Sequence, residues 1–167
     1  MRIPWAVTVA LLVVGCADPV TEVFACYGVA PSLRRPGGEL RVCARTLDGS
    51  RVLFGCDGSD LGGLVAERYT QGYVRHRADG VSLEIEADVP MGGTLVTAQQ
   101  AADVPFVEGR IVDVALRIEE PCMGVSCAVG ETCALGVCVA TRIEPDCLPD
   151  HGTLSACPDG RVNRPCE

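Results

Sequence analysis

Eleven cysteines and two histidines are the residues of this chain best suited to chemistry. Cysteines at 16, 26, 43, 56, 122, 127, 133, 138, 147, 157 and 166 can oxidise to disulfides, ligate a metal or act as nucleophiles, and spacing separates these roles. Structural zinc sites favour Cys-x2-Cys pairs, often with His; the chain has no such pair, so disulfides are expected and no metal or cofactor is assigned. His76 stands in Arg75-His76-Arg77, where flanking cations make it a poor base; a solvated strand or hairpin edge is its expected place. His151 follows Asp150 in a turn-like stretch, and with a distant serine the two would complete a hydrolase triad. No Gly-x-Ser-x-Gly elbow supplies that serine, so no catalytic residue is assigned. Asp57-Gly58-Ser59-Asp60 crowds carboxylates as a calcium loop would, yet the twelve-residue EF-hand spacing is missing and a plain turn is expected. Tyr69 and Tyr73 are spaced to form a small aromatic platform on one strand, with core or edge packing as the default.

Cys16 is set apart by its position. Arg2 is the lone charge before the apolar run Trp5–Val14. Such a run reaches roughly half of a bilayer core of about 30 Å, which fits a secretory signal and not a membrane-spanning helix. It ends in Val13-Val14-Gly15-Cys16, which resembles the lipobox of bacterial lipoproteins. The resemblance implies that the Cys16 thiol is alkylated with diacylglycerol, that residues 1–15 are removed, and that the new amine is acylated. Residues 16–20 would then be the lipidated tether, and three acyl chains would hold it almost permanently on a membrane. With Ala17 and Asp18 following, Asp is absent from the second mature position, which implies the outer membrane. The alternative is ordinary cleavage after Ala17, since Gly15-x-Ala17 also satisfies a small-x-small rule, and the protein would then be secreted.

A chain of 167 residues carrying 22 acidic and 14 basic side chains, all of them Arg, has a formal charge of -8. It makes a poor nucleic-acid partner, because phosphate binding needs a basic face. Without Cys16 there are ten cysteines, an even number, spread unevenly. Three (Cys26, Cys43, Cys56) lie before Glu119-Glu120-Pro121 and seven (Cys122, Cys127, Cys133, Cys138, Cys147, Cys157, Cys166) after it, which predicts a domain over 21–120 and a module over 121–167.

The first part reads as β. Val81–Val89 alternates apolar and polar without a fault, as a strand with one buried face does. Val112–Ile118 and Leu40–Ala44 repeat the pattern, with further strands expected at Thr21–Val29, Arg51–Cys56, Ala66–Arg77 and Thr94–Ala98. Ala98–Ala102 reads as one helical turn in a connection. Turn chemistry at Arg35–Gly38, Asp48–Ser50, Asp57–Asp60, Ala78–Gly80 and Pro90–Gly93 separates these runs. The expected architecture is an immunoglobulin-like or fibronectin-like β-sandwich, with a partly open barrel as the alternative. A hairpin centred between Gly49 and Ser50 sets Cys43 opposite Cys56 and allows a bridge, whereas one centred on Asp48-Gly49 sets Cys43 opposite Phe54 and does not.

The second part has no aromatic residue, and Leu only at 135, 148 and 154. So short a segment needs covalent staples, each worth roughly 2–4 kcal/mol. Its Cys122-x4-Cys127-x5-Cys133-x4-Cys138 spacing, with Gly130 and Gly136 at turns, resembles small EGF-like or follistatin-N-like modules, segments of which recur in cell-surface lipoproteins of myxobacteria-like organisms. The resemblance implies the pairs Cys122–Cys133 and Cys127–Cys138. Each part then holds an odd number of remaining cysteines, so full oxidation requires a bridge between them. The functional expectation is a lipid-anchored envelope protein, not an enzyme, with a binding or structural role toward protein or cell-wall partners. A protease inhibitor presenting a module loop and a hydrolase using His151 are the rivals.

Overall fold

The computed structural model describes residues 20–63, 68–75, 78–153, 155–156 and 162–163. The chain is mainly β, built as several sheets, with three disulfides between described cysteines. Seven strands come first: β1 (Glu22–Val29), β2 (Glu39–Thr46), β3 (Val52–Asp60), β4 (Arg68–Val74), β5 (Gly80–Met91), β6 (Thr94–Pro105) and β7 (Ile111–Ile118). They form a three-stranded sheet of order β4-β1-β7 and a four-stranded sheet of order β3-β2-β5-β6. Neighbours are antiparallel except β1 and β7, which run parallel. The two sheets share one core.

The alternation in β5 explains why it lies at the centre. Val81, Leu83, Ile85, Ala87 and Val89 are all fully buried, while Ser82, Glu84, Glu86 and Asp88 take the other face. Burying each of the larger aliphatic chains is worth about 1.5–3 kcal/mol. Val23, Ala25, Tyr27 and Val29 of β1, and Val112, Val114, Leu116 and Ile118 of β7, supply the opposing layer of the same cluster.

Two expectations fail for one reason, that strand pairing overrides local preference. Ala98–Ala102 is not a helical turn: β6 runs through it, paired with β5 from Met91↔Thr94 to Gly80↔Pro105. Gln100 occupies an inner position there, its amide nitrogen donating to the Cys133 carbonyl and its amide oxygen accepting from Arg117 N–H. Asp57–Asp60 is not a turn: it continues β3, with Gly58, Ser59 and Asp60 opposite Arg41, Leu40 and Glu39.

The β2–β3 hairpin turns on Asp48-Gly49, with Thr46 N–H donating to Arg51 C=O and Gly49 at φ 72°. That register alone would put Cys43 opposite Phe54. It does not hold, because shifts between Ala44 and Arg45 and between Arg41 and Cys43 each insert an extra β3 residue. Cys43 therefore faces Gly55, and the Cys43–Cys56 disulfide closes with 4.4 Å between Cα atoms.

Past β7 the chain passes a short 3-10 turn at Glu120–Cys122 and forms the hairpin of β8 (Glu131–Ala134) and β9 (Val137–Ala140). Disulfides Cys122–Cys133 and Cys127–Cys138 fasten this hairpin. Bridges are not its only support. Residues 141–151 run as a strap across the seam between the two sheets. At the β6 edge Asp103 N–H donates to Thr141 C=O and Ile143 N–H to Asp103 C=O; at the β7 edge His151 N–H donates to Ile111 C=O. Ile143, Cys147 and Leu148 of the strap enter the shared core. Cys26 is disulfide-bonded as well. Cys16, Cys157, Cys166 and His76 lie outside the described residues.

Asp48 holds the β2–β3 turn by accepting from Thr46 Oγ1 at 2.6 Å, Ser50 N at 3.0 Å and Ser50 Oγ at 2.8 Å. These donors, Thr46 first, lower its pKa to about 2. The ionised form is the one the turn binds, so its contribution is present above the ordinary carboxylate range and is lost as pH falls through about 2. A carboxyl-detected NMR titration is expected to give Asp48 this midpoint; an ordinary midpoint means that the turn bonds are absent in solution.

Candidate functional site

The strap assembles the one acid–imidazole pair seen among the described residues. Asp113 sits between Val112 and Val114 on β7, and all three are buried. The valines alternate with it across the strand, so burial on both faces requires cover on the outside as well as the core within. Residues 149–152 provide that cover: Asp113 N–H donates to Pro149 C=O at 3.1 Å. The Asp113 carboxylate lies 2.6 Å from His151 Nδ1 and accepts from Gly152 N at 2.8 Å. Phe24, beside Asp113 in the β1–β7 register, meets the His151 ring edge-on at a centroid distance of 5.1 Å. The imidazole remains 54% exposed.

A buried carboxylate held against one ring nitrogen of a half-exposed imidazole is the arrangement that orients the histidine in acid–base triads. The partner differs from the sequence expectation. Asp150 is turned away from His151 and binds Arg110 Nε at 2.6 Å, while Arg110 Nη2 donates to the Leu148 carbonyl. No serine or threonine hydroxyl is hydrogen-bonded to the ring among the described residues, and Thr153 Oγ1 donates instead to Asp150 C=O. Asp113 escaped the sequence reading because a single acid between valines looks like an outward position in a strand. Its signal was the absence of an apolar residue where the outer face is covered.

The remaining sequence candidates disperse. Tyr73 is buried, its hydroxyl 3.1 Å from that of Tyr27, and burial pushes both phenols upward in pKa. Tyr69 lies half-exposed, stacked on Phe54 at 5.3 Å, so Tyr69 and Tyr73 make no shared platform. Asp60 accepts from Gly62 N–H, and no group of three or more metal-ligating side chains gathers among the described residues. The module contributes something the sequence reading did not single out. Val129, Leu135 and Val137 are held in solvent, Val129 completely, on a segment closed by two disulfides. A groove of about 510 Å³ runs between this segment and β6, lined by Leu95, Val96, Gly124, Val125 and Thr132 among others.

Comparison with protein-family models, with curated proteins and with solved structures finds no match.

Asp113→Ala removes the acceptor shared by His151 and Gly152, which fastens the strap to β7. A loss of about 1–3 kcal/mol is expected from urea unfolding, with faster amide exchange over 149–152. Unchanged exchange there would mean that the strap is held without the pair.

Proposed function

We propose that this chain is a lipid-anchored protein of the cell envelope, exported, processed before Cys16 and carried on the outer membrane, with a binding role toward a protein or cell-wall partner. Its β region is read as a β-sandwich of immunoglobulin-like or fibronectin-like type. Support for that type comes from the β3-β2-β5-β6 order, in which two hairpins pair through their inner strands; the parallel β1–β7 pair is a departure from it. The observation that carries the binding role is the exposure of Val129, Leu135 and Val137 on the clamped module. Apolar side chains that two bridges keep from folding inward form a preorganised surface, which lowers the ordering cost of docking. The acidic chain argues for a partner other than nucleic acid.

A second reading, hydrolysis through His151, is favoured by the Asp113–His151 geometry. It requires turnover that His151→Ala abolishes, whereas the binding reading expects that variant to bind normally.

The anchor is tested by the intact mass of the protein extracted from membranes, which should begin at Cys16 with added acyl mass. Cys16→Ser should release the chain or stall its processing, and unchanged membrane retention defeats the anchor. The binding role is tested by sedimentation of the unlipidated protein with isolated cell envelopes. Leu135→Asp together with Val129→Asp should weaken co-sedimentation by tenfold or more, while equal retention of variant and parent removes the surface from consideration.

A further inference from the structure

The disulfide on the outer face of the four-stranded sheet works against its own hairpin. The turn at Asp48-Gly49 starts β3 in a register that sets Cys43 against Phe54, and an extra residue at Leu53 is needed to bring Gly55 opposite Cys43. A second shift follows immediately, where β3 spends three steps from Gly55 to Gly58 against two from Cys43 to Arg41. Between the shifts the backbone takes left-handed values at consecutive residues, φ 67° at Gly55 and 79° at Cys56. Glycine adopts this freely, whereas a side-chain-bearing residue is strained there. Gly55 is closed to any side chain, since a Cβ there would stand 2.1 Å from Val42 O.

The surroundings of the bridge are polar and concave. Both sulfurs' residues line a small cavity of about 120 Å³ with Arg41, Arg45, Glu84 and Glu86. Arg45 Nη2 lies 3.8 Å from Cys56 Sγ. Cys56 is half-buried and Cys43 nearly covered, so an incoming group reaches Cys56 first.

We propose that Cys43–Cys56 is a thiol–disulfide exchange site for a dithiol reductant, and that the bulged part of β3 is the element that moves when it opens. One thiolate of the reductant attacks Cys56 Sγ; a mixed disulfide forms and Cys43 leaves with the electron pair, taking a proton. The second thiolate of the reductant attacks the reductant's other sulfur in that mixed disulfide, closing the reductant's disulfide, and Cys56 leaves as a thiolate beside the Arg45 guanidinium before it takes a proton. Two electrons pass from the dithiol to the bridge, and the two protons of the dithiol end on Cys43 and Cys56. A nearby cation stabilises the departing thiolate and hastens that step. Freed of the bridge, β3 can shed its first bulge and return to the register of its turn. A one-residue slip exchanges the faces of a strand, so Phe54 would leave its stack on Tyr69.

The test is reduction of the folded, full mature chain with increasing dithiothreitol, alkylation of the thiols released, and mapping by mass spectrometry. Solvent exposure alone ranks Cys127–Cys138 as the first to open, because Cys138 is exposed. The proposal expects Cys43 and Cys56 to be labelled at a reductant concentration at least tenfold lower. Labelling of Cys127 and Cys138 first, or of all bridges at one concentration, overturns it. Arg45→Gln should lengthen the lifetime of the acid-quenched mixed disulfide on Cys56 about threefold or more without altering reduction of Cys127–Cys138; an equal lifetime overturns the assigned role of Arg45. After selective reduction, amide exchange should rise over Val52–Asp60 and stay unchanged over Gly80–Met91. A rise throughout means that reduction unfolds the domain, and that result also overturns the proposal.

Discussion

A sheet of finite width ends in two rows of backbone N–H and C=O groups with no neighbouring strand, and such rows invite pairing with other chains. The three-stranded and four-stranded sheets have such rows at β3, β4, β6 and β7, and much of the remaining chain is spent on them. At the β6 edge, Gly124 N–H donates to Thr97 C=O, the Thr132 hydroxyl accepts from Ala101 N–H, and Asp103 pairs with Thr141 and Ile143. At the β7 edge, Asp113 N–H and Ile111 C=O bind the chain at Pro149 and His151. The β3 edge is treated differently, with two register shifts that twist it away from a flat template. The cysteine-rich segment is thus not an appendage. It is the cover of one seam, and its disulfides hold a cover too short of apolar residues to stay by burial.

The outer face of the four-stranded sheet shows what the exclusive use of arginine does. Arg41 reaches Glu86 at 2.9 Å and also pairs with Asp88, while Arg45 reaches Glu84 at 3.4 Å. Half-exposed pairs of this kind are worth little singly, at most about 1 kcal/mol. Their effect is on register: the acids of β5 alternate with its buried aliphatics, so they find the arginines of β2 only when the inner faces are aligned.

What could be read from the sequence was what depends on period alone. Strands β5 and β7 declared themselves by unbroken alternation, and the even count of cysteines outside Cys16 announced a disulfide protein. The departures arose where long-range pairing decides. Ala98-Gln-Gln-Ala-Ala has a composition that suits a helix, and nothing local reveals that Gln100 will bind backbone groups of two distant segments. Asp57-Gly-Ser-Asp is turn-rich, yet it faces β2 because the bulges lengthen β3. The site followed the same rule. His151 stood out as one of two histidines, but its partner was separated by 38 positions and hidden among valines, whereas the adjacent Asp150 was the obvious and incorrect choice.

The parallel course of β1 and β7 gives the molecule a head and a foot. Glu22 lies beside Ile111 and Val29 beside Ile118, so the chain enters the sheets at the pole where β7 starts, and the clamped hairpin follows from the pole where β7 ends. Three residues separate Cys16 from Val20, four steps of chain that reach at most about 14 Å. With the proposed anchor on Cys16, His151, which binds Ile111 at the start of β7, would lie on the side of the molecule nearer the lipid headgroups. Leu135 would stand a further strand's length out, roughly 26 Å at 3.3 Å per residue, beyond a bilayer surface that anything approaching from solution must meet second.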